Sequence, residues 1–409
     1  MPTGAANGAP VATSARPSAV LIHAVRRRQR PYRSHHPLAI PRTALAFDLI
    51  RAFGALDDAE TVEGRAATPD EVCAFHASDY VEALLDAERS GGLRSDARAR
   101  FGLGGVENPY FDDLYAIPAT ATGGSLQGAD AVIAGQAAFN PAGGMHHARA
   151  GAAQGFCYLN DPVLAVLRLK RAGLRVLYVD IDAHHGDGVE LAFADDPDVL
   201  TLSLHMDPAY AYPFRGGRLC DTGSPVGGHT TVNVPLPRGT TDAEYHHLLD
   251  AVLPPIARAF APDAVVLQAG ADAIFADPLG KLALTTQGYL AAVERVLAIA
   301  PRTPHGVPRI LVTGGGGYHP LVVARAWTGV WALLSGRDLP AAIPPAGTAA
   351  LRAVQWDRDA DARHYARLFT HRIDAPTDTG NAIRDDVRRL ADAARAHPFL
   401  DQVAVRDAR

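Results

Sequence analysis

Three cysteines in 409 residues, Cys73, Cys157 and Cys220, are too few and too scattered for a disulfide framework or a four-cysteine metal site. They fit a reducing compartment. The chain has no run of about twenty apolar residues, the length a membrane-spanning helix needs. It also lacks the charged-then-apolar order of a secretory signal, so the cytoplasm is the expected location and no membrane partner is expected. No internal repeat is evident. Basic charge is not in excess either: 39 Lys and Arg against 44 Asp and Glu leave a net charge of −5. That balance carries no electrostatic footprint for direct nucleic-acid binding, so any attraction to a basic substrate must be local. What is present is an ordinary globular composition, 48% hydrophobic and 20% charged. The length suits one large α/β unit as well as two domains.

Residues 1–19 are mostly Ala, Gly, Pro, Ser and Thr, which cannot bury enough surface to offset the entropy of ordering, and they are predicted to form a flexible arm. Val20-Leu21-Ile22 reads as the first strand, and the basic run Arg26–Arg30 as a solvated loop. Leu45, Leu49 and Phe53 recur at helical spacing, and Thr68-Pro69-Asp70-Glu71 has the form of a helix start. Gly102–Asp113 is a glycine-rich surface loop that carries Glu107. The small residues of 116–135 suit a helix lying close to a sheet. Asp161-Pro162 opens another helix, with an acidic cap and a basic last turn.

The apolar runs at 137–139, 175–179, 199–204, 264–268 and 309–313 read as strands, alternating with helical segments such as 245–260 and 286–300. This alternation predicts a single α/β domain with a mostly parallel central sheet and helices on both faces. Ligands of such sheets bind beyond the carboxyl ends of the strands. The boundaries expected are a main domain over 20–336 and a C-terminal extension, 337–409, packed on it through a helix bearing Ile383, Val387, Leu390 and Ala394.

The conspicuous polar residues fall at those strand ends. Gly143-Gly144-Met145-His146-His147 follows one strand, Asp180-Ile181-Asp182-Ala183-His184-His185-Gly186-Asp187-Gly188 a second, Asp272 a third and Gly314-Gly315-Gly316-Gly317-Tyr318 a fourth. In extended backbone Asp182 and His184 point the same way. With Asp272 they make a two-carboxylate, one-imidazole site with room for water, the open coordination of a catalytic metal. A histidine oriented by a second carboxylate can move a proton near neutral pH. The glycine run lacks the Lys-Ser/Thr ending of a phosphate loop. Its other use is to let backbone approach the metal and to present the Tyr318 phenol to a carbonyl oxygen as negative charge develops there.

These motifs, together with Gly155-Phe156-Cys157-Tyr158-Leu159-Asn160-Asp161, occur in the order found in the zinc-dependent histone deacetylase superfamily, and the chain resembles its class I-like and acetoin-utilisation-type members. The similarity runs from about Val20 to Gly336. It implies an arginase/deacetylase-like fold, with 20–336 as the catalytic domain, and a zinc-dependent amidohydrolase that removes acetyl or other short acyl groups from lysine side chains of proteins or peptides by metal-activated water.

By the same resemblance Asp182, His184 and Asp272 are the metal ligands. His147 is the general base and later acid, and His146 its electrostatic neighbour. Asp180 and Asp187 are the carboxylates bonded to His146 and His147, and Tyr318 polarises the carbonyl. Gly155, Phe156 and Tyr212 line the acyl-lysine channel, Leu279 lies near its rim, Glu107 receives the substrate backbone, and Arg42 lies below the metal. A structural potassium ion is implied at Asp180, Asp182, His184, Ser203 and Leu204. Met145 and Tyr212 depart from the common Trp or Leu and Phe.

An acetylpolyamine amidohydrolase is the nearest rival. An arginase-type enzyme would need two manganese ions, and an idle acyl-lysine binding module is the remaining alternative. Iron(II) could take the same ligands as zinc. The oligomeric state is left open by the sequence.

Overall fold

Runs of Val, Ile and Leu that are apolar on both faces form buried parallel strands, because helices cover such a sheet from either side. The computed structural model describes residues 18–24, 36–354, 365–374 and 382–400. Most of the predicted arm and the basic run Arg26–Arg30 lie outside the described residues, but Ala19, placed in that arm by composition, begins the first strand.

The strands are β1 (Ala19–Ala24), β2 (Thr61–Gly64), β3 (Ala137–Asn140), β4 (Val176–Asp180), β5 (Val199–Met206), β6 (Thr231–Leu236), β7 (Ala264–Gln268) and β8 (Ile310–Thr313). They form one sheet in the order β2-β1-β3-β8-β7-β4-β5-β6. Every pairing in it is parallel. The outer strands β2 and β6 had no clear sequence signal: Thr61–Gly64 includes a Glu and a Gly, and Thr231–Leu236 includes an Asn and a Pro.

Alternation along the central strands divides the core. Leu177, Val179, Val265 and Leu267 face one cluster, built with the helices Arg42–Ala52, Asp242–Phe260, Thr286–Ile299 and Pro320–Ser335. Val176, Tyr178, Ala264 and Val266 face the other, under the helices Ala116–Ile133 and Asp161–Arg171. Each such aliphatic side chain contributes about 1.5–3 kcal/mol by leaving water. In Ala116–Ile133 the small residues serve close approach: a Cβ on Gly128 would lie 2.5 Å from Leu311 Cδ1 of β8.

Two sequence expectations need correction. The cap of the helix Asp161–Arg171 is Asn160, whose side chain accepts from the Val163 N–H at 3.1 Å. Asp161 instead turns back to accept the backbone N–H groups of Gly144 and Met145. Its carboxylate therefore shapes the loop that bears the paired histidines. Strand β5 also runs beyond Leu204, through His205 to Met206.

Near the C-terminus, the helix Asp385–Arg395 buries Val387, Ala391 and Ala394, and Arg384 pairs with Glu244 at 2.6 Å. No helix among the described residues is long and apolar enough to cross a membrane.

Trp331 is fully buried and donates its indole N–H to the Ala55 carbonyl at 2.6 Å. Trp331→Ala is expected to destabilise the fold by about 3–5 kcal/mol in urea unfolding. A loss below about 1 kcal/mol would contradict this packing.

Candidate metal centre and proton-transfer site

The parallel sheet brings the carboxyl ends of β3, β4, β7 and β8 side by side, so loops far apart in the chain meet at one point. Asp182 and His184 follow β4, and Asp272 follows β7. Ligand atoms of these three residues all lie within 4.8 Å of one another. His184 Nδ1 is 3.2 Å from Asp182 Oδ1 and 2.9 Å from Asp272 Oδ2. All three are buried.

Two carboxylates this close repel each other out of water. Burial and the neighbouring Asp182 push the Asp272 pKa up. Burial opposes charge on His184 as well, but Asp272 and Asp182 outweigh it and raise the imidazole to about 10. The cluster thus has the field that favours a cation and the two-oxygen, one-nitrogen donor set of an open zinc-type site. Glycine is required beside it: a Cβ on Gly316 would lie 2.1 Å from Asp272 Oδ2, and the Gly316 N–H donates to Asp182 Oδ2 at 2.7 Å.

His146 and His147 come from the loop after β3. His146 Nδ1 donates to Asp180 Oδ2 and His147 Nδ1 to Asp187 Oδ1, each at 2.8 Å. Their Nε2 atoms face each other at 3.0 Å. Burial disfavours charge on both rings, and their surroundings then drive them apart. Asp180 and Asp182 overcome the burial of His146 and raise it to about 9. Burial and the adjacent His146 lower His147 to about 4, despite Asp187. The pair therefore holds its proton on His146 and leaves His147 neutral, with the His147 Nε2 lone pair facing the Nε2–H of His146. Burial also opposes charge on Asp187, but His147 and Arg149 hold its carboxyl well below the usual range.

The site opens through a cavity of about 920 Å³, lined by His147, His184 and Tyr318 at its base and by Gly155, Phe156, Tyr212, Glu107 and Leu279 above. A Cβ on Gly155 would meet His147 Cδ2 at 2.3 Å. The Phe156 and Tyr318 rings lie 6.0 Å apart. Burial, then Asp272 and Asp182, raise the Tyr318 pKa well above its ordinary value, so its phenol stays protonated. Glu107 Oε1 accepts both the Gly155 N–H and, at 2.7 Å, the Tyr212 hydroxyl.

Arg42 donates to the Gly315 and Gly317 carbonyls and helps fill a second, small cavity beside Met145. Asp180 and Ser203 are register partners behind the site, and Ser203 Oγ bonds His205 rather than any group of the channel.

Sequence reasoning missed five residues. Gln268, at the end of β7, donates to Asp182 Oδ2 at 2.8 Å and to the Gly144 carbonyl. Tyr178 donates to Asp180 Oδ2 at 2.6 Å. Arg149 and Gln154 donate to Asp187 Oδ2 at 2.6 and 2.7 Å. His36 packs edge-on against Phe156, with ring centroids 4.8 Å apart. Gln268 alone carried a signal, as a polar residue closing an apolar strand.

The family model for the histone deacetylase domain matches residues 36–334. Histone deacetylase 8 of Xenopus tropicalis is 39% identical over 308 residues, covering 75% of this chain and 81% of that protein. Acetoin utilization protein AcuC of Bacillus subtilis is 36% identical over 320 residues, covering 77% and 81%. The crystal structure of an HDAC homologue from Aquifex aeolicus superposes with a TM-score of 0.86 at 35% identity, covering 93% of this chain and 100% of that one. The same values hold for an HDAC homologue complexed with SAHA.

Gln268→Leu keeps the size of the side chain but removes the donor that orients Asp182. It is expected to weaken zinc binding about 10–100-fold in chelator competition. An unchanged affinity would show that Asp182 needs no such support.

Proposed function

The chain belongs to the histone deacetylase family, and from that premise we propose that it is a zinc-dependent hydrolase removing acetyl or another short acyl group from lysine side chains of proteins or peptides. The observation that carries this reading is the meeting of Asp182, His184 and Asp272 within 4.8 Å, beside two imidazoles of divergent basicity at the base of a channel. Asp182, His184 and Asp272 would hold the zinc. When bound, the metal polarises the amide carbonyl and makes water a better nucleophile near neutral pH.

The chain's own residues supply the proton transfers and the positioning. Neutral His147 accepts the proton of the attacking water at Nε2, and Asp187 stabilises the imidazolium that results. Protonated His146 donates its Nδ1–H to Asp180 and adds positive charge where the oxyanion develops. Tyr318 donates its phenolic proton in a hydrogen bond to that oxygen. His147 then returns the proton to the departing lysine amine. Phe156 and Tyr212 flank the aliphatic stem of the lysine and exclude water, and Glu107 accepts substrate N–H groups at the mouth. The divergence of two neighbouring titrating groups is a recurring mark of acid–base assignment.

A structural potassium at Asp180, Asp182, His184, Ser203 and Leu204 belongs to the same proposal, supported by the pairing of Asp180 with Ser203. The rival substrate is an acetylated polyamine, favoured by the Glu107 carboxylate in the mouth.

Zinc-loaded protein is expected to release acetate from an acetyl-lysine peptide in preference to acetylputrescine; the reverse preference would transfer the assignment to the polyamine. Tyr318→Phe should lower kcat about 10²–10³-fold while zinc content stays at the wild-type level. Normal turnover in that variant would remove Tyr318 from the mechanism.

A further inference from the structure

The mouth of the channel carries charge of both signs, and only the acidic side has a role so far. Arg238, on the loop after β6, and Lys281, on the loop after Asp272, line the same cavity as His184 and Tyr318. The Gly239 N–H donates to the Lys281 carbonyl at 2.8 Å and the Ala283 N–H to the Thr240 carbonyl at 3.0 Å, so the two loops are stapled together. The Arg238 guanidinium lies over the Tyr210 ring, 4.3 Å from its centroid. Tyr210 is itself fixed by its hydroxyl on the Leu236 carbonyl at 2.7 Å. Lys281 Nζ donates to the Pro278 carbonyl.

Both side chains are exposed, and neither makes an ion pair among the described residues. The nearby Asp207 is occupied with its own turn, accepting the Ala209 N–H at 2.8 Å. Two cations on loops joined by backbone hydrogen bonds, lining one cavity and making no ion pair among the described residues, favour an anionic ligand. An aromatic platform under the guanidinium keeps its hydrogen-bonding edge directed outward.

We infer that Arg238 and Lys281 form an anion subsite that takes a carboxylate carried by the substrate beside its acyl-lysine. This inference rests on the acyl-lysine reading of the channel. The carboxylate has two chemical sources: the α-carboxylate of a terminal or free acyl-lysine, or the side chain of an adjacent Asp or Glu. With Glu107 accepting N–H groups elsewhere on the rim, the substrate is then read by its amide and by its acid. A polyamine offers no acid and meets two like charges.

The test uses zinc-loaded full-length protein and acetyl-lysine peptides in two pairs. One pair differs by Asp or Asn next to the lysine, the other by a free or an amidated C-terminal acetyl-lysine. KM is read from acetate release and Kd from fluorescence anisotropy. The acid-bearing member of at least one pair is expected to show KM and Kd about five-fold lower, the size exposed ion pairs give. The pair that responds identifies the source. In Arg238→Gln/Lys281→Gln that ratio falls to about one, and in the charge-reversed R238E/K281E it inverts. A ratio near one in the wild type, or one unchanged in both variants, overturns the subsite while leaving the deacylase reading intact. Acid-dependent binding without acetate release supports the subsite and refutes the deacylase reading. Absence of binding by every peptide overturns both.

Discussion

Like charge confined out of water is the constraint on which this structure turns. Asp180, Asp182 and Asp272 are buried at the carboxyl ends of two neighbouring strands, where their mutual repulsion is offset by His146 and His184. Burying such charge unpaired costs several kcal/mol per ion, so the surroundings are specified with unusual density. Backbone N–H groups of Ala183, His184 and Gly316 point at the carboxylates, and Gln268 and Tyr178 complete the shell. The fold stabilises the cluster through the hydrophobic burial of both sheet faces, and the cluster in turn dictates which positions must be glycine.

The same arrangement separates the two histidines. They are adjacent in sequence, and their Nδ1 atoms meet carboxylates in matching geometry, yet one is pushed up to about 9 and the other down to about 4. The difference comes from what surrounds each ring. Burial opposes charge on both, but Asp180 and Asp182 outweigh it at His146, whereas at His147 burial and the adjacent His146 outweigh Asp187. One residue type thereby supplies both a fixed positive charge and a neutral proton acceptor.

Much of this was legible in the chain because it is local. Alternation of strands and helices indicated the layered sheet, and each catalytic candidate sat within a few residues of a strand end. The two-residue spacing of Asp182 and His184 pointed to a shared site, although the two lie on a bend after β4 and not in extended backbone. Groups whose role depends on long-range partners were not legible. Arg149 and Gln154 are ordinary loop residues until Asp187, more than thirty positions away, is folded against them. The cap at Asn160 was misassigned to Asp161 because either residue type can cap, and only the fold shows that Asp161 is engaged by the histidine loop. Strand β2 lacks apolar patterning because it is only partly buried, whereas β6 is almost wholly buried and its pattern is interrupted by Asn233, whose side chain bonds Glu190, and by Pro235. The pairing of Arg238 with Lys281 at the rim has no sequence signature, since it arises from two loops joined by backbone hydrogen bonds.

The central claim, that the three buried ligands exist to hold one divalent ion that the hydrolysis requires, is tested most directly by titrating zinc into metal-free protein while following acetate release from an acetyl-lysine peptide. Activity is predicted to rise linearly and level off near one equivalent per chain, and Asp272→Asn protein to gain neither tight zinc binding nor turnover. Full hydrolysis by the metal-free protein, or saturation near two equivalents, would contradict the account.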